Sequence, residues 1–352
     1  MINHVLEEDV LQFAEQFELW EELKGKTFLI TGATGLIGSV MVRCLLALNK
    51  LKNLNISIIA AVRSIEKAQK TFEEEYKEIE FLVVDMKRIS KESIKCHIDY
   101  IVHLASPTNG KYMESFPEET FSFISQSTNE LLKLAKEKEC KGFLYASSIE
   151  YYGQILNDRL ISEKEQGYVD ISSPRSSYSM GKRVAEFLCY SYAYEYGVPT
   201  KVARLTQTFG AGVSPEDNRV FAQFARSVIN NSSIILHTSG LSSKPYCYTT
   251  DAVSAMLFLL LKGKDGESYN IANKDSYISI ADMAYFLRDH FNRDVEVKII
   301  PKKDQGYAPQ TILRLDTSKI EELGWKPRYG LEEMFRRLIE YMKSYKDYSK
   351  NE

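Results

Sequence analysis

The feature that most constrains the fold is a glycine-rich turn between an apolar run and an apolar helix. Residues 26–30 predict a buried strand, glycines follow at Gly32, Gly35 and Gly38, and residues 39–48 predict a helix. Such a turn lets the backbone approach a pyrophosphate closely, and the helix N-terminus adds free N–H groups and a positive dipole end. The triplet therefore predicts a dinucleotide site, although many strand-to-helix turns carry glycine for steric reasons only.

A second motif lies far along the chain, where Tyr178 and Lys182 stand four positions apart in the sequence YSMGK. On a helix these two positions share a face. A tyrosine, whose ordinary pKa is about 10, acts as a base near neutral pH only when a neighbouring cation favours its phenolate. The two motifs together predict redox chemistry with a nicotinamide dinucleotide. A binding protein without catalysis would not need this spacing.

The order of strand-like and helical stretches predicts an α/β fold. Apolar runs at 26–30, 56–62, 80–84, 100–104, 142–147 and 200–205 alternate with helical patterns. That rhythm predicts a Rossmann-type doubly wound parallel sheet, and the shorter mixed pieces after residue 210 predict a smaller mixed α/β C-terminal substrate lobe. We expect a helical N-terminal extension over 1–24, a dinucleotide-binding domain over 25–210, and over 211–345 mainly a substrate lobe with segments that return to the sheet.

Composition excludes several classes of partner. The chain has 352 residues, 44% of them hydrophobic, with a net charge of −3 and interspersed acids and bases. No single-sign field exists to hold nucleic acid or an anionic membrane, and no apolar run approaches the roughly 20 residues of a membrane span. The five cysteines lack C-x-x-C spacing, and His and Asp do not cluster as metal ligands, so we expect reduced thiols, a cytoplasmic enzyme and no metal.

The strand ends supply further candidates for dinucleotide binding. Arg63 stands after the second strand, where an NAD site would place a carboxylate. Arg63 could pair with a 2′-phosphate, which suggests NADP as the cofactor. The alternative is that Arg63 is a solvated surface residue, and NAD then stays open as the cofactor. Asp85 is placed to accept from the adenine amino group, and His103 is interpreted as a structural histidine. The candidate cofactor residues are Gly32, Thr34, Gly35, Leu36, Ile37, Gly38, Arg63, Asp85, Met86, Leu104, Ala105, Ser106, Tyr178 and Lys182.

Several short segments together point to one family. They are HLASP at 103–107, GKRVAE at 181–186, VAR at 202–204, TFG at 208–210, NRV at 218–220 and CY at 247–248. With these segments the chain, from residue 26 to about 341, resembles the extended short-chain dehydrogenases/reductases of the nucleotide-sugar epimerase/dehydratase group. It looks most similar to UDP-glucuronate decarboxylases. The resemblance implies a Rossmann domain with a small substrate lobe, and a catalytic set of Ser148, Tyr178 and Lys182.

The resemblance also implies a mechanism. Tyr178, as phenolate, removes the proton of a sugar hydroxyl, usually at C4, while hydride passes to the nicotinamide. Lys182 lowers the pKa of Tyr178 and holds the nicotinamide ribose, and Ser148 orients the hydroxyl. Glu150 completes the set of candidate catalytic residues.

Three positions depart from the decarboxylase pattern and bear on the reaction. Ile149 replaces a polar residue, Lys244 replaces an arginine and Gln207 replaces an asparagine. Lysine lacks the planar fork that grips a carboxylate, which weighs against decarboxylation. A 4,6-dehydratase needs two acids where only Glu150 is present, whereas an epimerase needs neither. We therefore favour an NAD(P)-dependent nucleotide-sugar epimerase, with a decarboxylase-like lyase, a 4,6-dehydratase and a keto-sugar reductase as alternatives.

The expected partners are a nucleotide-diphospho-sugar and a second copy of the chain. Cations in the matching segments are candidates for the diphosphate, and Tyr246 either stacks on the base or packs internally. The candidate substrate residues are Ser106, Gln207, Asn218, Arg219, Val220, Lys244, Tyr246 and Arg314. Helices expected at 116–138 and 178–196 have apolar faces that, in the family the chain resembles, often meet across a two-fold axis, which implies a homodimer.

Overall fold

The computed structural model describes residues 3–156, 158–302 and 310–348. The helices are α1 His4–Gln16, α2 Leu36–Lys52, α3 Ile65–Phe72, α4 Gly110–Ser115, α5 Pro117–Glu137, α6 Ser176–Tyr196, α7 Val220–Ile229, α8 Thr249–Lys262, α9 Ile280–Phe291, α10 Ser318–Glu321 and α11 Leu331–Tyr348. The strands are β1 Thr27–Thr31, β2 Ser57–Val62, β3 Glu80–Val83, β4 Tyr100–His103, β5 Gly142–Ser148, β6 Leu160–Ile161, β7 Thr200–Leu205, β8 Gln207–Phe209, β9 Ile234–Leu236, β10 Ser243–Tyr248, β11 Glu267–Ile271, β12 Asn273–Ser279, β13 Val297–Ile299 and β14 Arg314–Leu315.

Seven strands form the central sheet, in the order β11-β7-β5-β4-β1-β2-β3. Every neighbouring pair in it is parallel, with Thr31 of β1 opposite Ala61 of β2 on one side and His103 of β4 on the other. The strand order reverses on either side of β1, which opens a crevice at the carboxyl ends of β1 and β4. The predicted Rossmann-type doubly wound sheet is confirmed.

Both faces of this sheet are buried, which explains why its strands read as continuous apolar runs. In β1, Phe28 and Ile30 pack into one core cluster, together with α2 and α8. Leu29, between them, packs into a second cluster with Ile101 and Phe143 on the opposite face. Successive side chains point to opposite faces, so each residue of a central strand needs an apolar side chain.

Except for β6, the strands of the smaller sheets lie after residue 206, and they include elements that the sequence pattern did not indicate. Strand β10 pairs with β8 in parallel and with β12 antiparallel, and two-stranded sheets join β13 to β9 and β14 to β6. Strand β11 returns to the edge of the central sheet beside β7. No helix in the described ranges is long and apolar enough to cross a membrane.

The N-terminal segment is part of the packed body. The Asn3 side chain caps α1 by accepting from the Val5 N–H at 3.0 Å. The face of α1 that carries Val5, Val10 and Phe13 is buried in the first core cluster, and the helix contacts α2, α8 and α11. The second part of the segment is a 3-10 helix, Trp20–Leu23, that leads into β1.

A buried carboxyl group at the start of α8 links stability to pH. Asp251 is 1% exposed and accepts from the backbone N–H groups of Arg328 at 3.0 Å and Tyr329 at 3.1 Å. Burial outweighs these hydrogen bonds and raises the pKa of Asp251 to about 7. The folded protein therefore holds this proton more tightly than the unfolded chain does, and the carboxyl group costs stability once it ionises.

We expect the free energy of unfolding, relative to that of Asp251→Asn, to fall as pH rises from about 4 to about 7. The slope is at most about 1.4 kcal/mol per pH unit for one proton, and it vanishes above pH 7. Asparagine keeps an oxygen acceptor for the two N–H groups but cannot ionise. Urea unfolding of both proteins across this pH range measures the difference, and a difference that rises with pH would contradict the assignment.

Candidate active site

The glycine turn closes against the end of β4 through backbone contacts that only glycine allows. Gly32 has φ +68°, and a Cβ there would lie 2.7 Å from the backbone nitrogen of Ala105. A Cβ at Gly38 would overlap the carbonyl oxygen of Gly32 and lie 2.9 Å from the Ala33 Cα. The first glycine thus lets the turn touch β4, and the third lets α2 pack on the turn.

The middle glycine has a different environment. A Cβ at Gly35 would meet only the Gly32 carbonyl oxygen, at 3.3 Å. Gly35 is exposed and is the N-cap of α2, with no side chain capping the first N–H groups of the helix. These donors need an external partner, and the turn therefore fits the pyrophosphate of a dinucleotide.

The other predicted cofactor residues surround this turn. Thr34, Leu36 and Ile37 are partly exposed on it, and Arg63 is exposed after β2. Asp85 is the N-cap of a short 3-10 helix and accepts from the Lys87 N–H at 3.0 Å. The Met86 side chain is buried in the second core cluster, so only its main chain is available to a ligand.

The buried Thr31 hydroxyl holds the backbone of the segment that follows β4. Thr31 Oγ1 lies 2.8 Å from His103 Nδ1 and accepts from the Ala105 N–H at 3.2 Å, and the Leu104 N–H donates to the Thr31 carbonyl at 3.3 Å. Burial lowers the pKa of His103 to about 3, which fits the structural role predicted for this residue. The Ser106 Oγ is buried without a hydrogen bond of good geometry from any described residue, which leaves it available to a ligand.

The predicted catalytic residues converge on the carboxyl end of β5. Tyr178 and Lys182 share one face of α6 and are both buried, and Lys182 Nζ lies 5.4 Å from the centroid of the Tyr178 ring. Lys182 Nζ also donates to the Ala146 carbonyl at 2.7 Å. The Ser148 hydroxyl interacts with the Tyr178 phenol and accepts from the Glu150 N–H at 3.2 Å.

Burial controls the protonation of this pair. It raises the pKa of Tyr178, the Glu150 carboxylate raises it further, and the hydroxyls of Ser148 and Ser106 act in the opposite direction. Burial also lowers the pKa of Lys182 to about 7, against the attraction of Glu186 and Glu150. The net direction for Tyr178 is therefore upward, and the expected lowering of its pKa by Lys182 stays a prediction. Desolvation is the largest influence on both groups, and it favours the neutral phenol and the neutral amine.

Three more charged groups act on the same crevice. The pKa of the partly buried Lys244 is lowered by burial, raised by Glu150 and lowered by Arg219, so the three groups lie close enough to influence one another. Glu150 is exposed and acts on Tyr178 and Lys182 as well. Arg219 is paired with Asp217 at 2.5 Å. The crevice therefore combines the cations Lys244 and Arg219 with the Glu150 carboxylate that acts on Tyr178.

Tyr246 corrects one prediction. It is 1% exposed and packs edge-to-face on Phe209 with 5.7 Å between ring centroids, so it cannot stack on a nucleotide base. The pairing of β10 with β12 shifts register between Lys244 and Tyr246. This β-bulge separates the faces of the two residues, and Tyr246 joins the core while Lys244 reaches the crevice.

The remaining substrate candidates are spread over the lobe. Gln207 opens β8, opposite Tyr246 of β10, and Val220 opens α7. Asn218 lies in a polar groove of about 600 Å³ beside α7. Arg314 lines a separate cavity of about 290 Å³ with Lys274 and Tyr277, and lies 3.9 Å from Asp158. A contact of Arg314 with the diphosphate stays a prediction.

Two features escaped the sequence analysis. Arg175 precedes Tyr178 by one helical turn, lowers the pKa of the phenol, and donates to Met113 Sδ at 3.2 Å. Its place in the sequence PRSSY was the available signal. A buried pair joins Glu186, one turn after Lys182, to Arg204 of β7 at 2.7 Å. Both residues stand in the segments that carried the family resemblance.

The parallel sheet and the glycine turn at its switch point define a Rossmann-type dinucleotide-binding fold, with the buried Tyr178 and Lys182 beside its crevice. The model of the NAD dependent epimerase/dehydratase family matches residues 28–272. The chain belongs to this family, whose members are enzymes that act on nucleotide sugars.

Named relatives and solved structures agree with this membership. The chain is 28% identical over 246 residues to UDP-glucuronic acid decarboxylase 3 of Arabidopsis thaliana, covering 69% of each chain. It is 27% identical over 344 residues to human dTDP-D-glucose 4,6-dehydratase, covering 92% of this chain and 93% of that one. A UDP-glucose 4-epimerase from Thermotoga maritima shares the fold, with a TM-score of 0.77 at 22% identity over 91% of this chain and 99% of that chain.

We expect Gly35→Ala to fold normally and to weaken dinucleotide binding about tenfold, or about 1.4 kcal/mol. The added methyl group meets little protein but occupies the side from which a pyrophosphate approaches the helix N-terminus. Fluorescence titration with NADH and with NADPH measures both affinities. Gly330→Ala, where a Cβ meets nothing within 4 Å, is the matched control. Unchanged binding by Gly35→Ala would remove the turn from the cofactor site.

Proposed function

We propose that this enzyme is an NAD(P)-dependent nucleotide-sugar epimerase that inverts a sugar carbon, C4 in our proposal, through transient oxidation. The observation that carries the proposal is the convergence of Ser148, Tyr178 and Lys182 in a crevice where the Glu150 carboxylate acts on the Tyr178 phenol. Sequence relatives named as decarboxylases and dehydratases support the shared oxidation step.

In this proposal the chain's own residues move one proton. The Tyr178 oxygen accepts the proton of the sugar hydroxyl and later returns it, while Ser148 holds the hydroxyl at hydrogen-bond distance from the phenol. Lys182 orients the cofactor ribose and, as an ammonium, favours the phenolate. A bound nicotinamide supplies the hydride acceptor and a positive charge. Because burial raises the pKa of Tyr178, the reaction is expected to favour mildly alkaline pH.

The residue after Ser148 separates epimerisation from dehydration. Ile149 is 7% exposed and packs in an apolar cluster with Tyr151, Tyr152 and Ile161. It offers no proton to a leaving C6 hydroxyl, and Glu150 alone cannot act as acid and base at once. Lys244 in place of an arginine likewise weakens two-point binding of a sugar carboxylate.

For the nucleotide, we propose that Lys244 and Arg219 bind the diphosphate, with Asn218 and Val220 near the base. For the dinucleotide, the exposed Arg63 after β2 favours a 2′-phosphate and hence NADP, within a family defined as NAD dependent. A ratio of NADPH to NADH affinity above one in the titration described for Gly35→Ala supports this choice.

Product analysis tests the proposed reaction. Purified protein is incubated with UDP-, dTDP-, GDP- and CDP-sugars in deuterium oxide, and the products are analysed by mass spectrometry and NMR. We expect a C4 epimer of unchanged mass without solvent deuterium at C4, because the same hydride returns to the sugar. Loss of water, loss of carbon dioxide or net oxidation of NADPH would instead identify a dehydratase, a decarboxylase or a reductase.

Tyr178→Phe provides the control for this assay. It should lower kcat by about 100- to 10,000-fold, the range for loss of a general base, while dinucleotide affinity stays within about twofold. Tyr190→Phe, on the same helix but 53% exposed, should retain full activity. Full activity of Tyr178→Phe would refute the proton route.

We further propose a homodimer formed through α5 and α6. These helices pack together in one chain and still expose large apolar side chains, with Phe187 66%, Tyr190 53% and Tyr194 80% exposed on one face of α6. On α5, which packs against α6, Phe121 is 36% exposed. A second copy that adds its own two helices would cover these side chains as a four-helix bundle.

Phe187→Glu should convert the protein to a monomer, because a charge would be buried in the apolar contact. Light scattering coupled to size exclusion measures the mass in solution. Leu241→Glu, at a position 56% exposed outside α5 and α6, should leave the mass unchanged. A parent protein that is already monomeric would disprove the proposed interface.

A further inference from the structure

The N-terminal helix is tied to the body through one buried carboxylate. Asp9 of α1 is 1% exposed, and both of its oxygens are used. The Tyr248 hydroxyl donates to Asp9 Oδ2 at 2.5 Å, and Arg337 Nη1 donates to Asp9 Oδ1 at 2.5 Å. The carboxylate therefore joins α1 to the end of β10 and to α11.

The same Tyr248 hydroxyl also holds the loop after β8. It accepts from the Ala211 N–H at 3.3 Å. A Cβ at Gly210 would lie 2.5 Å from Tyr248 Cε2, so the tyrosine ring rests directly on the Gly210 backbone. Asp9 fixes the direction of the hydroxyl, which in turn fixes the backbone of this loop.

The next residue of the loop touches the dinucleotide turn. Gly212 has φ +96°, and a Cβ there would lie 3.2 Å from Leu36 Cδ1 and 3.6 Å from Val40 Cγ2. Leu36 is the first residue of α2 and follows Gly35 directly. A continuous series of contacts thus runs from α1 through Tyr248 and residues 210–212 to the helix N-terminus that faces the cofactor.

We propose that Asp9 is a positioning residue of the dinucleotide site, acting through Tyr248 and residues 210–212 on the first turn of α2. The match to the family model begins at residue 28, and helix α1 lies before it. The contact of Asp9 with Tyr248 therefore comes from outside the matched part of the chain. The inference depends on dinucleotide binding and is independent of which sugar reaction follows.

The test is NADH affinity of the full-length protein, measured by fluorescence titration without sugar. We expect Asp9→Asn and Tyr248→Phe each to raise the Kd for NADH about tenfold. The asparagine turns an amide NH2 toward one of the two donors, and the phenylalanine removes the hydroxyl. The double variant should bind no more weakly than the weaker single variant, because both changes break one series of contacts.

The matched control is Gln12→Ala on the same helix. It breaks a different tie of α1, the 2.6 Å hydrogen bond from the Tyr329 hydroxyl to Gln12 Oε1. Tyr329 packs on the Tyr248 ring, with 4.3 Å between ring centroids, but Gln12→Ala leaves both rings and the hydrogen bonds of the Tyr248 hydroxyl in place. Its Kd for NADH should stay within about twofold of the parent value, even where its melting temperature falls as far as that of Asp9→Asn.

Two results would overturn the inference. One is an unchanged Kd in Tyr248→Phe, which keeps the buried ring and so decides the question even where Asp9→Asn does not fold. The other is an equal rise in Kd for Gln12→Ala, since that would reduce the effect to general loss of stability. A failure to convert any nucleotide sugar would disprove the proposed reaction and leave this result untouched.

Discussion

Contact between two backbones, at Gly32 and at the β4 end, is the constraint on which the site depends. The φ of Gly32 is left-handed and a Cβ there would lie only 2.7 Å from the Ala105 nitrogen, so there is no room for a side chain. Because β1 and β4 are neighbours at the point where the strand order reverses, this contact sets the width of the crevice. The direction of α2 follows from it, since Gly38 packs the helix on the same turn.

On the other wall of the crevice, a buried ion pair holds α6, the helix that carries Tyr178 and Lys182. Arg204 of β7 donates hydrogen bonds from Nε and Nη2 to the Glu186 carboxylate, and from Nη1 to the Tyr152 hydroxyl at 3.1 Å. Its guanidinium lies 3.5 Å from the centroid of the Tyr151 ring. Glu186 accepts further from Ser147 and Ser268. A buried pair with all its partners satisfied adds geometric definition more than stability. Here it fixes α6 one turn beyond Lys182 and keeps that ammonium at the Ala146 carbonyl.

The sequence predicted the features that depend on local pattern. Strand β7 has the predicted bounds because an apolar run with clear ends defines it, and Tyr178 and Lys182 share a face because helix geometry requires it. Helix α2 begins three residues before its predicted start, since Gly35 and Gly38 are weak helix formers whose positions are set by contact with the turn. The three-residue β8 and the bulge before Tyr246 depend on pairing with distant strands and leave no periodic signal. The high pKa of Tyr178 is likewise a property of three-dimensional burial.

The packing around Ile149 bears on how one fold supports several reactions. An acid at this position would have to leave the apolar cluster that contains Tyr151 and Tyr152, and both of these tyrosines contact Arg204. A single change from Ile149 to Asp would therefore bury a charge beside the ion pair rather than add an acid to the crevice. The identity of the reaction is thus coupled to the core beneath the site, because the segment after Ser148 must supply either a packed side chain or a proton donor.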